Sequence, residues 1–130
     1  MTPLITANQL EEMINSGENV LICDCRFDLV DPLAGRKTYL EGHIPGALYV
    51  DLDHDLSGEK TGKNGRHPLP TPEAWAKTKS RLGFDSNTLV IAYDNQGSVY
   101  ASRLWWMLKA TGHANVQVLD GGLDAWNGPI

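Results

Sequence analysis

Two short stretches, Val20-Leu-Ile-Cys-Asp-Cys25 and Thr88-Leu-Val-Ile-Ala-Tyr93, are apolar at nearly every position instead of at every second one. A strand with one face in water alternates apolar and polar residues. A strand that is apolar on both sides belongs in a parallel sheet covered by helices on both faces. The segments between these runs have the helical character that such a sheet requires. Thr6-Ala-Asn-Gln9 forms a capping box, in which Gln9 can reach back to the Thr6 backbone. The helix it opens carries Leu10, Met13 and Ile14 on one side and ends at Gly17. Thr71-Pro72-Glu73 places a cap before a proline at the first helical position, and that helix runs through Trp75 to about Leu82, ending at Gly83. Val99 to Ala110 reads as a third helix with a broad apolar face, closed by Gly112. Leu40 to Gly46 gives a helix end and a turn, and Ala47–Val50 and Val116–Leu119 are further strands. A short helix over Leu123 to Trp126 follows Gly121-Gly122. The expectation is an α/β fold of three layers, a central, mostly parallel sheet with helices on both faces.

Composition narrows the function. The 130 residues fit one domain, and 42% hydrophobic with 21% charged residues is the balance of an ordinary globular chain. The net charge is −5 and the Lys and Arg residues are scattered, which argues against a nucleic-acid groove. No apolar run approaches the length of a membrane span. Met1-Thr-Pro-Leu-Ile-Thr6 has neither the basic flank nor the apolar core of a secretion signal. Together with only two cysteines, this reads as a reducing, cytoplasmic setting. Cys23 and Cys25 lie two apart in a strand, on one face and in poor geometry for a mutual disulfide. They also lack the second pair that a zinc site would need.

Chemistry is expected where a strand, a tight loop and a helix succeed one another: Tyr93, then Asp94-Asn95-Gln96-Gly97-Ser98-Val99. Open α/β sheets bind ligands at such strand ends, and the free N–H groups of the helix start favour an anion. A cysteine at the first loop position would have its thiolate stabilised there. Asp94 stands at that position, and its carboxylate either fills the cradle or simply caps the helix. The polar connection of residues 52–70 is long enough to suggest a task of its own. Among the histidines, His43 precedes the Ile44-Pro45-Gly46 turn and reads as structural. His113 follows a helix end, where a cation suits the dipole. His54 lies among Asp51, Asp53 and Asp55 without a recognised ligand spacing. Adjacent Trp105 and Trp106 cannot face the same way on a helix, so one is left to meet solvent or a partner. Arg103 could pair with Asp120 or Asp24.

The chain resembles rhodanese-type sulfurtransferase domains over nearly its whole length. The resemblance is carried by Asp24-Cys-Arg26, Gly42-His-Ile-Pro-Gly-Ala47, the strand-loop-helix of residues 88–111, and Leu119-Asp-Gly-Gly122 followed by Trp126. In that family the loop beginning at Asp94 holds a cysteine that carries a persulfide; here the loop keeps its six-residue length without the cysteine. Tyr93-Asp94 with Ser102-Arg103-Leu-Trp105-Trp106-Met107 resembles the N-terminal, non-catalytic half of two-domain thiosulfate or 3-mercaptopyruvate sulfurtransferases.

That resemblance implies residues 1–130 as one rhodanese-like domain whose partner is a C-terminal rhodanese domain of the same protein, with Pro129-Ile130 at the start of the linker. The whole protein would move sulfane sulfur from a small-molecule donor, 3-mercaptopyruvate or thiosulfate, to cyanide or a thiol, with no metal or organic cofactor required. It also implies that the long loop faces the partner domain, where Asp53 and His67 would assist the shared site. A His–Asp pair can orient an imidazole and move a proton at neutral pH, and the same pair can instead only stabilise the loop. Two alternatives remain: an inactive rhodanese-like module standing alone for binding or regulation, and an enzyme using Cys25. The second is disfavoured because Cys25 lies outside the strand-loop-helix position. A phosphatase reading fails for want of a nucleophilic cysteine in the loop.

Overall fold

The structure, a computed structural model, describes residues 2–130. Five strands form one sheet: β1 (Leu4–Ile5), β2 (Val20–Asp24), β3 (Leu48–Tyr49), β4 (Leu89–Tyr93) and β5 (Val116–Leu119). Their order is β1-β5-β4-β2-β3, and every neighbouring pair is parallel. The helices are α1 (Ala7–Asn15), α2 (Ala34–Glu41), α3 (Pro72–Leu82) and α4 (Val99–Ala110), with a 3-10 turn at Gly122–Ala125. The sheet is thus parallel throughout; after β3 at one edge the chain crosses over β2 to form β4, which places β4 at the centre with β2 and β5 beside it. Two-sided burial follows the strand period of two. Cys23, Val90, Ala92, Val116 and Val118 face α3 and α4, packing with Trp75, Leu104 and Leu108. Ile22, Ile91, Tyr93 and Leu119 face the other way, onto Leu10 of α1 and Ile44.

Local chemistry sets the helix starts as the sequence implied. The Thr6 hydroxyl accepts from Gln9 N and the Gln9 side chain accepts from Thr6 N, closing the capping box. The Thr71 hydroxyl accepts from Ala74 N ahead of Pro72. The short β1 was not visible in the sequence. Two residues show no periodicity, and the strand exists because Leu4 and Ile5 pair with Val118 and Leu119. Nor does the expected helix over Leu123 to Trp126 form as an α-helix; the segment closes as a single 3-10 turn one residue earlier.

The C-terminal ends of β2 and the α2–β3 turn are tied by one buried carboxylate. Asp24 is fully buried and accepts from Arg26 Nη2 at 2.7 Å, Arg26 Nε at 3.0 Å and the Tyr93 hydroxyl at 2.8 Å. The same Arg26 Nη2 donates to Gly42 O at 2.6 Å, and Ile44 N donates to the Tyr93 hydroxyl at 3.2 Å. His43 is structural in this turn: its ring stacks on Tyr39 at 3.9 Å and its Nδ1 lies 2.7 Å from Tyr39 O. The Gly42–Ala47 motif is therefore the piece that docks a turn onto the ends of β2 and β4. Removing one partner of a buried ion pair strands the other charge. Asp24→Ala is expected to cost about 3–5 kcal/mol of folding stability in urea titration. A loss under about 1 kcal/mol would show that the network does not hold the turn.

Candidate functional site

The sheet's C-terminal edge carries the strand-loop-helix. Asp94 follows β4 and is fully buried. Its Oδ1 accepts from Gln96 N at 2.8 Å and Ser98 N at 2.9 Å, and its Oδ2 accepts from Tyr100 N and Ala101 N, each at 2.9 Å. Both readings of Asp94 therefore describe one arrangement: the carboxylate caps α4, and in doing so it fills the ring of N–H groups. Gly97 at φ 71 and Ser98 at φ 68 turn the backbone inward so that these donors converge. The donor set differs from the span 94–99. Asn95 and Val99 give it nothing and are exposed, whereas Tyr100 and Ala101 lie beyond that span and supply half of it. Helix geometry holds the clue, because the second and third helical N–H groups have no partner within the helix. Gly122 explains the Gly-Gly motif. A Cβ there would stand 2.5 Å from Asp94 O, the carbonyl that accepts from Leu123 N.

The long loop of residues 52–70 brings its two ends together. His67 Nε2 lies 3.2 Å from Asp53 Oδ1, within ion-pair distance but off the alignment of a hydrogen bond, so that Oδ1 is buried without a donor. Lys60 Nζ is 3.6 Å from the same oxygen. The His67 ring meets the edge of Phe27 at 5.9 Å, and Phe27 meets Tyr100 at 5.6 Å. The pair and the Asp94 loop thus sit on either side of one aromatic contact. Burial lowers the His67 pKa from its ordinary 6.5; Asp53 opposes the fall, and Lys60, Arg66 and Arg103 add to it. The lowered pKa favours the neutral imidazole, the form able to accept a proton.

Neither cysteine reaches the surface. Cys23 and Cys25 are free thiols, 0% and 1% exposed, within the core beneath α3 and α4. Burial, then neighbouring negative charge, pushes both pKa values well up.

Several expectations are corrected. Arg103 pairs with neither Asp120 nor Asp24; it donates to the carbonyls of Leu56 and His67 at 2.8 and 3.0 Å. Asp24 already has Arg26, one strand end away. His113 does not cap the helix from outside. It is buried, with Nε2 at 3.0 Å from Thr88 O and 3.1 Å from Asn115 O, joining the starts of β4 and β5. His54 is exposed, 4.0 Å from Asp51 Oδ2, and no group of three His, Cys, Asp or Glu residues suited to a metal exists among the described residues. Trp106 is the outward tryptophan, half exposed; Trp105 is partly buried against the core.

The comparisons agree with this geometry. The model of the rhodanese-like domain family matches residues 6–129, and this chain belongs to that family. SseB of Mycobacterium tuberculosis is 44% identical over 123 residues, covering 95% of this chain and 43% of that protein. Thiosulfate/3-mercaptopyruvate sulfurtransferase 2 of Arabidopsis thaliana is 48% identical over 90 residues, covering 69% of this chain and 25% of that protein. Among solved structures, the 3-mercaptopyruvate sulfurtransferase from Leishmania major superposes with a TM-score of 0.84 at 28% identity, over 94% of this chain and 33% of that one. The chain spans less than half the length of these relatives. No helix of the described residues is long and apolar enough to cross a membrane.

Replacing Asp94 by cysteine tests the cradle directly. The Asp94→Cys thiolate would inherit N–H groups now spent on the carboxylate, so its pKa should fall about 1–2 units below that of an ordinary thiol. Alkylation rates against pH should show this thiol reacting first, with Cys23 and Cys25 silent until the chain unfolds. An ordinary thiol pKa at position 94 would mean that the ring of donors does not act on an anion.

Proposed function

We propose that this chain is the N-terminal, non-catalytic domain of a two-domain cytoplasmic sulfurtransferase that takes sulfane sulfur from 3-mercaptopyruvate or thiosulfate. The observation that carries this reading is Asp94: the family's loop is present, yet its anion seat is occupied by a carboxylate that cannot carry a persulfide. The catalytic cysteine would come from a C-terminal rhodanese domain, and the Asp53–His67 side of this domain would form one wall of the shared cleft. Sulfurtransferases among the chain's relatives support the class of reaction.

Chemistry favours 3-mercaptopyruvate at a cleft containing this pair. With thiosulfate, attack of the cysteine thiolate on the outer sulfur breaks the S–S bond, and sulfite leaves with the electron pair as a stable anion. With 3-mercaptopyruvate, attack on the thiol sulfur breaks a C–S bond, and the electron pair passes into the enolate of pyruvate. The enolate carbon must then gain a proton, and the substrate thiol must lose one. A neutral His67, 3.2 Å from Asp53, would accept the thiol proton and return it to the enolate. In either case cyanide or an acceptor thiol then takes the outer sulfur of the persulfide, and the cysteine leaves as its thiolate.

The experiment compares this chain alone with the parent reading frame expressed in full. Thiocyanate formation from either donor is expected only from the full protein. There, His67→Gln should lower kcat/KM for 3-mercaptopyruvate about 100-fold and leave thiosulfate turnover within about threefold. Sulfur transfer by the isolated chain would reject the reading in favour of an enzyme using Cys25, and a parent without a second cysteine-bearing domain would reject it in favour of an inactive stand-alone module.

A further inference from the structure

We propose that Arg103 is the positioning residue of the Asp53–His67 pair, its guanidinium joining the two halves of the 52–70 loop so that the imidazole is held against the carboxylate. Arg103 projects from α4 beneath this loop. Its Nη2 donates to Leu56 O at 2.8 Å on the half that carries Asp53. On the half that carries His67, the same nitrogen reaches His67 O at 3.0 Å and Pro68 O at 3.5 Å. Nε lies 3.3 Å from Met107 Sδ, one helical turn on, which orients the guanidinium along its own helix.

The pair needs such a device. The loop contains no helix or strand. Between its halves the backbone offers Gly58 N to Pro68 O at 2.7 Å, and the Ser57 hydroxyl bonds within the first half, to Leu52 O. The His67 ring has an edge contact with Phe27 and the 3.2 Å approach to Asp53, without an aligned hydrogen bond to hold it. Its position is therefore inherited from its backbone, and Arg103 grips that backbone at the His67 carbonyl. Arg103 has no carboxylate partner among the described residues, so its donors are directed at loop carbonyls alone. Arginine suits this task because its planar fork presents several donors in fixed directions, whereas a lysine ammonium is a point charge on a flexible stem.

That the pair serves sulfur transfer rests on the function proposed above; its placement by Arg103 does not. The test reads placement in this chain by NMR titration of His67, with and without Asp53→Asn. The charged groups bearing on the ring are Asp53, Lys60, Arg66 and Arg103. In the wild type, Asp53→Asn removes the anion that opposes the fall and should lower the His67 pKa by about one unit. In an Arg103→Lys background the positive charge stays but the fork is gone, and the drop should shrink to less than about half its wild-type size. Arg103→Gln, which also removes the charge and so raises the starting pKa, should show the same shrinkage, and it is the variant to read where Arg103→Lys does not fold. A residue that merely stabilised the fold would lower the unfolding midpoint and leave the drop intact. The full drop persisting in either folded variant overturns the proposal. Lost coupling in these variants, with unchanged mercaptopyruvate turnover in the full protein, would retain the positioning and reject the pair's catalytic part.

Discussion

A carboxylate without access to water must find its donors inside the protein, and the neighbouring inner strands β2 and β4 each end in or are followed by one. Asp24 closes β2 and Asp94 follows β4, both fully buried. Asp24 is satisfied by the guanidinium and backbone N–H of Arg26 and by the Tyr93 phenol, which ties the strand ends to the turn at Gly42–Ala47. Asp94 is satisfied by backbone alone, which fixes the turn from β4 into α4. An unpaired charge at either place would cost several kcal/mol. The geometry of the sheet's C-terminal edge, where the candidate site lies, is thus set by two charges that have nowhere else to go.

The two carboxylates divide the labour differently. Around Asp24 the side chains converge and the backbone is ordinary strand. Around Asp94 the backbone itself bends, with Gly97 and Ser98 in left-handed conformations and Gly122 leaving room for a carbonyl at its back. Such a loop is a receptor for negative charge in its shape alone. In this chain the receptor and its occupant are part of the same residue run, and whatever chemistry takes place nearby must use other groups. The Asp53–His67 pair, across the Phe27 contact, is a set of groups able to move a proton.

Much of this was legible in the sequence because it depends on local rules. Apolar runs on two faces marked β2 and β4, and capping residues marked the starts of α1 and α3. The sequence also placed Asp94 among helix-start N–H groups and set Asp53 and His67 apart by resemblance. What it could not carry were contacts made to backbone atoms far away in the chain. Arg103 was matched with acids, since charge suggests charge, yet its partners are carbonyls that no side-chain pattern records. His113 was read as a helix-end cation, yet it is an internal link between two strand starts. β1 is too brief for any periodicity and exists only through its pairing with β5.

The brevity of the outer strands has its own effect. β1 and β3, which bound the sheet, are two residues each. An edge of that length presents too few free N–H and C=O groups to recruit an extended chain, whether a peptide ligand or another unfolded copy. Strand addition, the simplest way for a parallel sheet to acquire a neighbour, is closed to this domain. Any association it enters has to be made by side chains and loops, on surfaces where sequence can choose the partner.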